Sequence, residues 1–64
     1  MEQEYCFEVN GQKYWLKVVN GELVSASQHF EGTDFDMPIA DFSLEQREKF
    51  SAAIRDGTAK LQNS

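Results

Sequence analysis

Residues 5–9 and 12–19 are apolar or alternating runs of the length of a strand, in which successive side chains go to opposite faces. Asn-Gly stands between these runs at 10–11 and after the second at 20–21. This dipeptide is the strongest short-range hairpin signal, because a type I′ turn needs positive φ at both central residues. The pattern predicts an antiparallel meander with strands over 5–9, 12–19 and 22–30, all rich in the aromatic and β-branched residues that suit a pleated surface. Residues 35–39, Phe-Asp-Met-Pro-Ile, are apolar at every second position. They read as a short fourth strand reached through residues 31–34. Pro38 confines that strand to an edge, or makes the segment an extended loop instead.

Two-residue turns fix the register. Val9 then faces Gln12, Glu8 faces Lys13, Phe7 faces Tyr14, Cys6 faces Trp15 and Tyr5 faces Leu16. In the second hairpin Val18 faces Leu23, Lys17 faces Val24, Leu16 faces Ser25 and Trp15 faces Ala26. One face collects Tyr5, Phe7, Val9, Tyr14, Leu16, Val18 and Leu23, and is the better core. The other collects Cys6, Glu8, Lys13, Trp15, Lys17, Val24 and Ala26. Phe7 with Tyr14, and Glu8 with Lys13, are expected cross-strand pairs, each worth roughly 0.2–1 kcal/mol. Strand three fits poorly: Ser25 and Ser27 fall on the core face, while Val24, Ala26 and Phe30 fall on the other. A bulge there would reverse the parity.

The remaining periodic segment is helical. Ser43 and Gln46 have capping-box spacing, Asp41 and Glu45 suit the positive end of the dipole, and Glu45–Lys49 is an i,i+4 pair in the favoured order. Phe50, Ala53 and Ile54 make the apolar stripe. Asp56-Gly57 resembles a C-cap, so the helix is expected over about 43–57 with a tail at 58–64. The fold class expected is α+β: an antiparallel meander of three strands, or four with 35–39, followed by one C-terminal helix packed on one face.

Length makes this one small domain over residues 1–64, and a chain so short buries only about 60% of its unfolded surface. With 41% hydrophobic and 27% charged residues the composition is globular, not disordered. The single cysteine excludes an intrachain disulfide, and Cys6 with His29 cannot make a four-ligand zinc site. Eleven acidic against six basic residues give a net charge of −5, which argues against direct nucleic-acid binding and against an anionic membrane surface. Nothing reads as a signal peptide or a membrane span, and a lone thiol makes the cytosol the default compartment. The order of strands and helix resembles, in topology alone, small sheet-type DNA-binding domains. Their sheets are basic, whereas this one carries only Lys13 and Lys17, so the resemblance brings no function with it.

No motif fixes a reaction. Cys6 and His29 are the one thiol–imidazole combination, and strand two separates them; the chain is expected not to be an enzyme. Each of the four glycines suits a turn or cap, so there is no phosphate loop and no cofactor is implied. Glu31, Asp34, Asp36 and Asp41 fall in a stretch without Lys or Arg between Lys17 and Arg47. Asp34-x-Asp36 lacks the rest of a calcium loop and reads first as the wet side of an edge segment. Trp15 has two settings: buried beneath Phe35, Met37, Ile39 and Phe42, or exposed as an interface anchor rimmed by Glu8, Lys13 and Lys17.

The function expected is a small acidic protein-interaction module, acting as regulator, inhibitor or adaptor, with Trp15, Lys17, Val24, Glu31, Asp34 and Asp36 as its protein-binding residues. The partner is another protein, or a second copy in a homodimer through the Trp15 face, since strand one is left at an edge with few charges besides Glu4 and Glu8 to protect it and Trp15, Val24 and Ala26 offer an apolar centre. The alternative is an acidic decoy for the basic groove of a nucleic-acid-binding protein, a role by analogy with mobile-element proteins of this size and charge. A weaker alternative is an accessory subunit with a metal or ligand pocket.

Overall fold

The computed structural model describes residues 1–62, with the side chain of Phe30 outside the described ones. Five strands and one helix follow in order: β1 (Glu2–Val9), β2 (Gln12–Val19), β3 (Glu22–Phe30), β4 (Thr33–Pro38), a 3₁₀ turn (Ile39–Asp41), α1 (Leu44–Asp56) and β5 (Lys60–Leu61). They form one sheet in the order β4-β3-β2-β1-β5, with every neighbouring pair antiparallel. The α+β meander with a C-terminal helix on one face is therefore the fold.

Three hairpins are closed by two-residue turns with the same backbone. Asn10 and Gly11 have φ of 51° and 77°, Asn20 and Gly21 have 53° and 82°, and Glu31 and Gly32 have 50° and 79°. These are type I′ values. The third turn is shorter than the expected residues 31–34, because Glu31 accepts a left-handed conformation and releases Thr33 and Asp34 to the strand. Residues 35–39 thus become β4 at Thr33–Pro38, and Ile39 leaves the strand for the 3₁₀ turn.

The first hairpin has the expected register throughout. The second is corrected by a bulge. Val18 pairs with Leu23, but Lys17 pairs with Ser25, so Val24 is the extra residue. Beyond it Leu16 faces Ala26 and Trp15 faces Ser27. Parity reverses as a bulge requires: Ala26 enters the core at 1% exposure, and Ser25 and Ser27 leave it. The expected pairs Lys17–Val24, Leu16–Ser25 and Trp15–Ala26 do not form.

The core lies between the sheet and α1, built from Phe7, Leu16, Ala26, Phe50, Ala53 and Ala59. Phe50 is fully buried and meets Tyr14, Phe42 and Phe7 edge to face, at 5.1, 5.3 and 6.1 Å between ring centroids. Phe7 stacks on Tyr14 at 6.5 Å, as expected. The helix begins where Ser43 Oγ accepts from the Gln46 N–H at 3.1 Å and stops at Gly57, which takes φ +87°. Arg47 reaches back from α1 and donates to the carbonyls of Phe42 and Ala40 at 2.9 and 3.1 Å, which fixes the connection from β4.

The expected tail is partly strand. After Gly57 the N–H of Ala59 donates to the Ala53 carbonyl, and Ala59 is buried. Lys60 and Leu61 then pair with Cys6 and Tyr5. So β1 is not an open edge along its whole length. Residues 63–64 of the expected tail lie outside the described residues. No described helix is long and apolar enough to cross a membrane.

Candidate functional site: the outer face of the sheet

The helix covers one face of the sheet, and no described element crosses the other. The register writes the rows of that outer face. Across its middle run Asp36, Ser27, Trp15, Cys6 and Lys60, one residue from each strand. On one side Lys17 stands between Ser25 and Glu4; on the other Asp34 is paired with His29, and Lys13 with Glu8.

Trp15 is half-buried at the centre of the middle row. The segment expected as its cover goes elsewhere. Ile39 and Phe42 pack against the core beneath the helix, while Phe35 and Met37 are 50% and 37% exposed on the helix side of β4. What shields the indole is its own sheet: Cys6 and Ser27 flank it, and the Lys13 ammonium stands 5.9 Å from its ring centre. Lys13 therefore leans on Trp15, and the expected Glu8–Lys13 ion pair is absent among the described residues. Lys17 pairs instead with Glu2 at 3.2 Å, with both groups about half exposed. Exposed pairs of this kind contribute little to stability.

The acids divide. Asp36 Oδ1 accepts from the Ser27 hydroxyl at 3.0 Å, and Asp34 Oδ1 lies 2.6 Å from His29 Nδ1. Glu4, Trp15, Ser27 and Asp34 line a shallow depression of about 280 Å³. Of the six expected binding residues, Trp15, Lys17, Asp34 and Asp36 thus share the outer face. Glu31 sits apart in the third turn, and Val24 is the bulge residue, without a partner in the ladder. Ser27 and His29 belong to this surface and were not anticipated. Their signal is arithmetic: once the bulge is placed at Val24 and the third turn at Glu31-Gly32, the register sets His29 against Asp34 and Ser27 against Asp36.

Cys6 and His29 are on strands separated by β2, roughly 9–10 Å apart by strand spacing alone. Among the described residues no three His, Cys, Asp or Glu side chains are grouped as metal ligands. Comparison with protein-family models, with curated proteins and with solved structures gives no match to this chain.

Proposed function

We propose that this chain is a small, non-catalytic protein-interaction module, a regulator, inhibitor or adaptor, that binds another protein through the outer face of its sheet. The observation that carries the reading is the uncovered face with Trp15 at its centre. A large aromatic ringed by polar and charged groups is the usual composition of an interface hot spot. Cys6 and Ser27 are the small residues directly beside the indole, and Lys13, Lys17, Asp34 and Asp36 supply a charged rim that would govern approach and orientation.

The test is affinity capture from the native host's lysate with the native chain and a Trp15→Ala variant, followed by titration of the purified partner. Native protein should retain one partner that the variant loses, and Trp15 emission should shift to the blue on binding. Equal capture by both proteins, or a turnover activity that Cys6→Ser abolishes in a folded chain, would overturn the reading.

A further inference from the structure

We propose that the free edge of β4 accepts an extended basic–apolar segment of another polypeptide as a sixth strand. The proposal shares the premise that this chain works by binding protein, but places a second contact at the sheet edge instead of on the Trp15 face.

The backbone comes first. A two-residue turn closes on a doubly hydrogen-bonded pair, here Phe30 and Thr33, and such pairs alternate with non-bonded ones along the ladder. Thr33, Phe35 and Met37 therefore direct their N–H and C=O groups at β3. Asp34 and Asp36 direct theirs outward, where no described strand receives them. Pro38 ends the row with a carbonyl and no N–H. Two donors and their acceptors are thus presented at strand spacing, the requirement for strand addition.

The side chains then specify what fits. Asp34 and Asp36 stand on the outer face, while Phe35 and Met37 stand on the helix side with Gln28; a groove of about 370 Å³ runs along this edge, lined by Gln28, Phe35, Asp36 and Met37. All six residues of β4 are exposed. An added strand would put every second side chain beside the two carboxylates and the intervening ones beside Phe35 and Met37. Lysine or arginine suits the first set, and an aliphatic residue the second. A second copy of this chain is disfavoured at the same edge. Antiparallel β4–β4 pairing about Phe35 would set Asp34 against Asp36 twice over, and like charges directly opposite are destabilising. The same acids that discourage self-pairing make the edge selective for a basic partner.

The probe is a blocked Lys-Val-Lys-Val-Lys peptide, titrated into the full chain at low salt and followed by nuclear magnetic resonance. A Glu-Val-Glu-Val-Glu peptide and a Lys-Lys-Lys-Val-Val peptide serve as controls. The alternating basic peptide should shift resonances of residues 33–38 and slow exchange of the Asp34 and Asp36 amides, and each control should bind at least about tenfold more weakly, since it loses either charge or strand register. Asp36→Pro removes an outward N–H without touching the β3 ladder and should weaken binding by at least about tenfold. The double variant Asp34→Lys with Asp36→Lys keeps the backbone and should reverse the preference toward the acidic peptide. Trp15→Ala should change this binding less than about twofold, because the indole lies two strands away. Loss in Trp15→Ala with retention in Asp36→Pro would move the contact to the outer face, overturning this inference and sparing the proposed function. Equal binding of the block peptide, absence of binding at millimolar peptide, or a native dimer that Asp36→Pro dissolves would overturn it also.

Discussion

Glu31 holds a left-handed conformation that most L-residues resist by roughly 1–2 kcal/mol, in a turn whose two counterparts use asparagine at that place. Asparagine relieves most of that penalty, so Glu31→Asn should raise stability by about 0.5–1 kcal/mol, read as a higher denaturation midpoint with unchanged slope. At the centre of the core the sign is opposite. Phe50 is edge to face with three aromatic rings, and Phe50→Ala should cost about 3–5 kcal/mol. A domain of this size has only about 3–10 kcal/mol in total, so circular dichroism should find much of the variant unfolded at room temperature. Asp56 provides a pH-dependent contribution. The hydroxyl and then the N–H of Thr58, with Arg55 adding a little, hold its carboxyl below the ordinary carboxylate range. A depressed folded-state value means that the stabilisation is complete above the unfolded-state value near 3.8 and fades as pH falls through the lower folded one. Asp56→Asn should therefore reduce the loss of stability across that acid range, while a carboxyl titration indistinguishable from that of a free peptide would deny the Thr58 hydrogen bonds to Asp56.

Among the elements, β3 decides which face is which. Its bulge predicts an inversion at adjacent positions: Ala26→Lys should unfold the chain, because it buries an unpaired charge, whereas Ser27→Lys, on the outer face opposite Asp36, should stay within about 1 kcal/mol of native. Without the bulge the two outcomes would be exchanged. Arg47 is the comparable device in α1. Losing its two donations to the Phe42 and Ala40 carbonyls should cost about 1–3 kcal/mol in Arg47→Ala, with Arg47→Lys recovering only part, since one ammonium does not match the guanidinium fork. The elements legible in the sequence were those with local causes. Asn-Gly pairs mark two turns, Ser43 and Gly57 mark both ends of the helix, and apolar runs rich in aromatic residues and valine mark β1 and β2. Three features depended on distant partners and were not legible in the same way. Glu31 enters αL only because β4 has an edge to join. Val24 is extruded because Ala26 fits against Leu16 better than Ser25 does. Two residues as ordinary as Lys60 and Leu61 become a strand only because β1 is already there to receive them. The outer face depends on the same partners: the sequence admits a bulge in strand three, but only the pairings of β3 locate it at Val24 and so join Trp15 and Asp36 in one row.

For the whole molecule, one sheet with a single covering helix makes a two-sided object. One side is spent on the core, and the other, with its edge at β4, is covered by no described element. Charge neutralisation on that side should separate folding from association. Asp34→Asn with Asp36→Asn should leave stability within about 0.5 kcal/mol, yet slow association with a basic partner and flatten its salt dependence. A stopped-flow rate unchanged by both the substitution and added salt would remove electrostatics from the encounter. Strand order also has a kinetic consequence. From β4 to β1, every neighbour in space is a neighbour in sequence, joined by a turn of two residues. Each hairpin can zip before the next exists, without a long loop to close, so the meander belongs with the faster-folding β topologies. The β1–β5 pairing alone joins opposite ends of the described chain, through two residues and the Gln62 N–H on the Glu4 carbonyl. It must wait for the helix to turn the chain back, and it is also the easiest piece to release. In hydrogen exchange, β5 should open and reclose many times during one lifetime of the β2 amides, a latch working on a clock of its own.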